Sequence, residues 1–138
     1  MSQNEDLFFY LVAYSQFIKR ELNRRLRPYG LTYSQFSVLL LLWQRGDLSI
    51  LEIHKFLFTT QGNVSAILRN LEERKLIMRG IDDYDMRIVS AHLRQKGRDL
   101  LEQIYPEKYN MWLEEILSGI PKEDRYPMSN MLWKILSE

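Results

Sequence analysis

The sequence predicts a mainly α fold with a small β part (α+β): a winged helix-turn-helix with a two- to three-stranded wing, set between long helices at both ends. Three observations predict it. Apolar residues recur at spacings of three and four through residues 5–27 and 95–117, the period of amphipathic helices. Between those stretches lie two short helical patterns joined by the polar turn Thr59, Thr60, Gln61 and Gly62. Two β-like runs follow, 76–81 and 88–93, around an acidic tip of Asp82, Asp83, Tyr84 and Asp85. Helix, turn, helix and ribbon in that order is the layout of a winged helix.

The first helix is expected over residues 5–27. Leu7, Leu11, Tyr14, Ile18, Leu22 and Leu26 form its stripe, and Phe8, Phe9, Val12 and Phe17 widen it, so the helix is buried on several sides. Pro28, Tyr29 and Gly30 end it. The second helix opens on a capping box, Thr32 with Gln35, and a hydrophobic staple, Leu31 with Phe36. Leu39, Leu40, Leu42 and Trp43 continue its buried face, and Arg45, Gly46 and Asp47 stop it. The third repeats the signal, with Ser49 and Glu52 as the box and Leu48 and Ile53 as the staple, and ends near Leu57.

The fourth helix, residues 60–74, is the candidate recognition helix. Val64, Ile67, Leu68 and Leu71 share its inner face. The outer face holds Gly62, Ala66, Arg69 and Glu73, flanked by Asn63, Ser65 and Asn70. Short polar side chains on that face fit a major groove roughly 12 Å wide; an ordinary solvated face is the alternative. After the wing, a long helix is expected over residues 95–117, kinked or split by Pro106. The last helix is expected to start near Asp124, which places Pro127 within its first turn.

At 138 residues and 46% apolar, the chain is expected to be one domain, or one domain with helical extensions, and is too apolar to be disordered. Three parts are expected: an N-terminal dimerisation helix (1–30), a winged-helix head (31–97) and C-terminal dimerisation helices (98–138). The chain has no cysteine, which excludes disulfides, Cys-based zinc sites and thiol switching. His54 and His92 have no partner at a metal-motif spacing, so no metal is expected. No nucleophile, base and orienter can be assembled and no Gly-rich phosphate loop is present, so neither an enzyme nor a cofactor is expected. No apolar run approaches the roughly 18 residues of a membrane span, and the N-terminus carries acids where a signal peptide has bases. A cytoplasmic protein is the simplest reading.

The net charge is +1, but it is unevenly spread. Residues 19–27 hold five bases against one acid, net +4; residues 98–138 hold five bases against eight acids, net −3. Residues 47–97 are near neutral, with eight bases and seven acids.

The segment DMRIVSAHLRQKG, residues 85–97, resembles the wing signature of the MarR family of bacterial transcription regulators, an Asp-x-Arg, a β run and then Leu-Thr-x-x-Gly. Asp85, Arg87, Leu93 and Gly97 fall at the family spacing. LTYSQFSVLLLL (31–42) resembles the family helix before the reading head, and NVSAILRNLEERKLI (63–77) its recognition helix and entry to the wing. The sequence departs from that pattern at three places. Ala66 stands where members commonly carry a base-reading Arg, Lys75 replaces a usual Gly, and Arg94 replaces the Thr that caps the next helix.

The resemblance implies a dimer joined through its terminal helices that binds a pseudo-palindromic operator in double-stranded DNA, as a repressor released by a small aromatic effector. The expected DNA contacts are Thr60, Gln61, Asn63, Ser65, Ala66, Arg69 and Asn70, with Arg87 at the minor groove, oriented by Asp85. Tyr10, Tyr14, Phe17, Phe36, Trp43, Tyr105 and Trp112 are the candidate lining of an effector pocket; plain core and dimer interface is the alternative for the same rings. The rival function is a winged-helix module for protein–protein contact that no longer binds DNA, favoured by Ala66 and the near-neutral head.

Overall fold

The computed structural model describes residues 1–81 and 89–137. Ten elements follow in order: α1 (Gln3–Leu26), α2 (Tyr33–Arg45), β1 (Leu48–Ser49), α3 (Ile50–Leu57), α4 (Gln61–Glu73), β2 (Ile77–Ile81), β3 (Val89–Leu93), α5 (Gln95–Glu102), α6 (Glu107–Ile116) and α7 (Lys122–Leu136). Asp82, Asp83, Tyr84, Asp85, Arg87 and Ile88, on which the expected wing tip rests, lie outside the described residues.

Helix starts follow the local sequence closely. Thr32 Oγ1 accepts the Gln35 N–H while Gln35 Oε1 accepts the Thr32 N–H, and Ser49 and Glu52 exchange the same pair of bonds. Thr60 caps α4 by accepting the Asn63 N–H at 3.1 Å. Both staples hold, since Leu31, Phe36, Leu48 and Ile53 are all buried.

α2, α3 and α4 enclose one core. Phe36, Leu39, Ile53, Val64, Leu68 and Leu71 are each essentially inaccessible, and each stabilises by roughly 1.5–3 kcal/mol through burial. The sheet caps that core, with order β1-β3-β2 and both pairings antiparallel. Ile77 faces Leu93 and Arg79 faces Ala91, so Ile77 and Ala91 seal the inner face. Leu48, paired with Ala91 from the other side, supplies the third strand.

Two expectations about the C-terminal helices meet the structure differently. Pro106 splits the expected 95–117 helix: α5 ends at Glu102 and α6 restarts at Glu107, because Pro106 has no N–H to continue the ladder. The expected start of the last helix near Asp124 is corrected to Lys122, so Pro127 lies inside α7, beyond its first turn. The reason is tertiary. Arg125 donates to the Ile120 and Leu117 carbonyls and to both oxygens of Glu114, which locks the start of α7 against the end of α6. Those bonds outweigh the one ladder bond Pro127 deletes.

α1 and α7 are poorly covered. Of the 24 residues of α1 only Leu22 and Leu26 are buried, and α7 has no buried residue. Phe8, Phe9, Leu132, Trp133 and Ile135 stand exposed on them.

Candidate nucleic-acid interface

Of the DNA-contact residues expected on α4, the structure brings all to one exposed side except Ser65, which is half-buried at its edge. Gln61, Gly62, Asn63, Ala66, Arg69 and Asn70 are exposed, while Val64, Leu68 and Leu71 turn inward. Thr60 is committed to capping, and Asn63 Nδ2 donates to Thr59 Oγ1 at 3.0 Å, so the N-terminal turn is held from within. Arg69 is exposed, and among the described residues it has no ion-pair partner. Asp85 and Arg87 fall outside the described residues.

Two features were not singled out from the sequence. Glu72, on the wing side of α4, accepts from the Arg79 backbone N–H at 3.0 Å and from its Nε and Nη2 at 3.2 and 3.0 Å. That guanidinium, seconded by the backbone N–H, holds the Glu72 carboxyl below the usual carboxylate range. The clamp ties β2 to the recognition helix. On the other side of the sheet, His92 Nδ1 lies 2.7 Å from Asp47 Oδ2, which ties β3 to the turn after α2. An acid late in a helix and an Arg in the next strand are a weak signal, because such pairs also occur as solvated charges.

Among the described residues the seven aromatics are not brought to one cavity. Phe36 and Trp112 are buried in the core, Phe36 5.1 Å from Tyr109 and Trp112 6.2 Å from Tyr29. Tyr105 meets Tyr109 at a tilt, ring centroids 6.0 Å apart, and its hydroxyl accepts from Gln44 Nε2. Trp43 lies under the Arg98 guanidinium at 5.7 Å. Tyr10 is exposed on α1, and Phe17 leans on Tyr14. Tyr14 alone of the seven reaches the large apolar cavity between α1 and α7, about 650 Å³, where Ile18, Leu132 and Trp133 meet it. The Tyr14 hydroxyl donates to the Ile116 carbonyl at 3.1 Å.

An exposed helix with a small-residue face, capped into a three-helix core and clamped to an antiparallel wing, is the geometry of a winged helix-turn-helix. Residues 31–89 match the MarR family. YkoM, described as an uncharacterized HTH-type transcriptional regulator of Bacillus subtilis (strain 168), is 36% identical over 108 residues, 78% of this chain and 70% of its own length. The chain belongs to the MarR family.

Other members agree along more of the length. The HTH-type transcriptional regulator MhqR of Bacillus subtilis (strain 168) is 26% identical over 129 residues, covering 94% of this chain and 88% of MhqR. The Staphylococcus aureus MepR–DNA complex has a TM-score of 0.79 at 28% identity, covering 99% and 98%. Bordetella bronchiseptica BpsR, whose DNA binding is regulated by 6-hydroxynicotinic acid, has a TM-score of 0.83 at 25% identity, covering 94% and 98%. Within this MarR-family frame, two of the departures have visible geometry. Lys75 stands at φ 62°, where glycine is favoured, and Arg94 occupies the cap of α5 without a side-chain cap bond. Gly97 keeps the family residue because a Cβ there would collide with the Leu76 carbonyl and come within 2.8 Å of Leu93 Cδ1.

Proposed function

We propose that this chain is a DNA-binding transcription regulator of MarR type, a repressor that binds a pseudo-palindromic operator as a homodimer. One observation carries it: α4 presents Asn63, Ala66, Arg69 and Asn70 on a side-chain-poor exposed surface, with its opposite face locked into the core. Such a helix enters a major groove, where its amides and guanidinium meet base edges and phosphates. The organisation into an N-terminal helix (1–30), a head (31–97) and C-terminal helices (98–138) gives each part a task. Exposed apolar residues on α1 and α7 join two copies about a two-fold axis. The two heads then face successive major grooves about one DNA turn apart.

Arg87, with Asp85, is assigned to the adjacent minor groove from its place in the wing signature. The effector is a small aromatic acid held in the cavity between α1 and α7. Its ring packs on Tyr14, Ile18 and Trp133, and its carboxylate meets Lys19 at the rim. The chain acts without catalysis, in the cytoplasm.

Selection of bound duplexes from a random pool, followed by titration at several salt concentrations, tests the reading. A palindromic consensus is expected, with affinity that falls steeply as salt rises. Arg87→Ala weakens binding about equally on operator and unrelated DNA and lowers the salt slope by about 0.9 per head. Arg69→Ala costs roughly 1–3 kcal/mol, concentrated at one position of each half-site. No selectable duplex at low salt would hand the fold to the protein-contact reading that Ala66 and the near-neutral head favour.

A further inference from the structure

The capping box of α2 also reaches α4. Gln35 Oε1 accepts the Thr32 backbone N–H at 3.0 Å. A backbone N–H only donates, so this bond fixes which end of the Gln35 amide is oxygen. Gln35 Nε2 therefore faces away from the cap, and it donates to Asn70 Oδ1 at 2.9 Å. That bond in turn fixes the Asn70 amide. Its oxygen accepts from Gln35, and among the described residues neither Nδ2 proton has a partner, so both face an outside acceptor. Asn70 lies on the exposed side of α4, and with Gln35, Arg27 and Arg74 it lines a polar hollow of about 500 Å³.

We propose that Gln35 is a positioning residue that presets Asn70 as a hydrogen-bond donor toward DNA. The inference rests on the DNA-binding reading and deepens it. A bidentate Asn–adenine pair needs the amide oxygen to accept from N6, and here that oxygen is turned toward Gln35 with one of its two lone pairs taken. Asn70 is thereby matched to acceptors, namely a phosphate oxygen, guanine N7 or O6, or thymine O4, and set against the amino edge of cytosine. Two basic side chains around the hollow favour the same electron-rich partners.

The test is Gln35→Glu. Glutamate is an equally good third residue of a capping box, so Thr32 keeps its bond and the unfolding midpoint is expected to hold. A carboxylate, however, only accepts. Asn70 must turn its Nδ2 to it and offer its oxygen to DNA. Binding to the selected duplex is expected to weaken about tenfold, the scale of one misdirected hydrogen bond. If Asn70 meets a base, duplexes selected with this variant shift at one position of each half-site, from acceptor-bearing bases toward cytosine or adenine. If it meets phosphate, the loss is the same on every duplex.

The added negative charge of Gln35→Glu is measured separately in an Asn70→Ala background, where no amide is left to flip. A larger loss with Asn70 present than with Asn70→Ala supports the proposal. Equal loss in both backgrounds, in a protein that binds its operator, overturns the proposal alone. A parent chain that binds no duplex overturns the DNA-binding reading and this inference together.

Discussion

Lys75 and Gly30 close two helices with the same hydrogen bonds but unequal residues. After α4, the Leu76 N–H reaches the Leu71 carbonyl and the Lys75 N–H the Glu72 carbonyl, a Schellman closure with Lys75 at the left-handed position, φ 62°. After the 3-10 helix Arg27–Tyr29 that continues α1, the Leu31 N–H reaches Leu26 and the Gly30 N–H reaches Arg27, with Gly30 at φ 69°. Glycine enters that region freely; lysine at the same place costs about 1–2 kcal/mol. Lys75→Gly is therefore expected to raise stability by about 1 kcal/mol in urea titration, with DNA affinity unchanged. Arg94→Thr restores a cap acceptor at α5 and is expected to add about 0.5–2 kcal/mol. Gly97→Ala goes the other way: it pushes a methyl into the Leu76 carbonyl, and a loss of roughly 1–3 kcal/mol is expected. A Gly97→Ala protein as stable as its parent would show that α5 slides freely against the β2 entry.

At the scale of elements, the recognition helix and the wing act as one unit because Glu72 holds β2 by three hydrogen bonds. The helix is thus fixed on both flanks, by Glu72 toward the wing and by Asn70 toward α2. The clamp has a pH signature. The Glu72 carboxyl titrates below its ordinary range when folded, so its stabilisation is complete above the unfolded value near 4.3 and is lost as pH falls through the folded one. Glu72→Gln is expected to be less stable than the parent at pH 7, with the gap closing as the solution is acidified below about pH 4. Urea unfolding at a series of pH values measures this. A gap of constant size down to the acid limb would mean that the Glu72 charge contributes nothing.

For the whole molecule, the terminal helices pose the energetic problem. A 24-residue helix with two buried residues and a C-terminal helix with none leave a wide apolar surface uncovered in a single chain. In the proposed homodimer a second copy of the chain covers it. Deletion from Lys122 onward is expected to give aggregated protein, since it strips Leu132, Trp133 and Leu136 from α1 and exposes the floor of the large cavity. Light scattering of the full-length chain at micromolar concentration is expected to give twice the monomer mass. A folded monomer there would leave α1 and α7 without a partner and remove the geometric basis for two half-sites.

Local sequence sets the starts of α2, α3 and α4, the turn between α3 and α4, the inward face of α4 and the break at Pro106. Each depends on residues within about one turn of each other, so a cap, a period or a missing N–H acts before any tertiary contact exists. Only the tertiary structure decided what crosses between elements. Gln35 and Asn70 are far apart in the chain, and their meeting depends on how α2 crosses α4. Arg125 overrode the local preference of Pro127 because three carbonyl or carboxylate partners from α6 and its exit converge on one guanidinium. The seven aromatics share apolar character, which favours covering a ring without saying by what, and Tyr10 stays exposed. Helix packing sent Phe36 and Trp112 to the core and left Tyr14 at the cavity, because each ring's position depends on crossing geometry that no local spacing encodes.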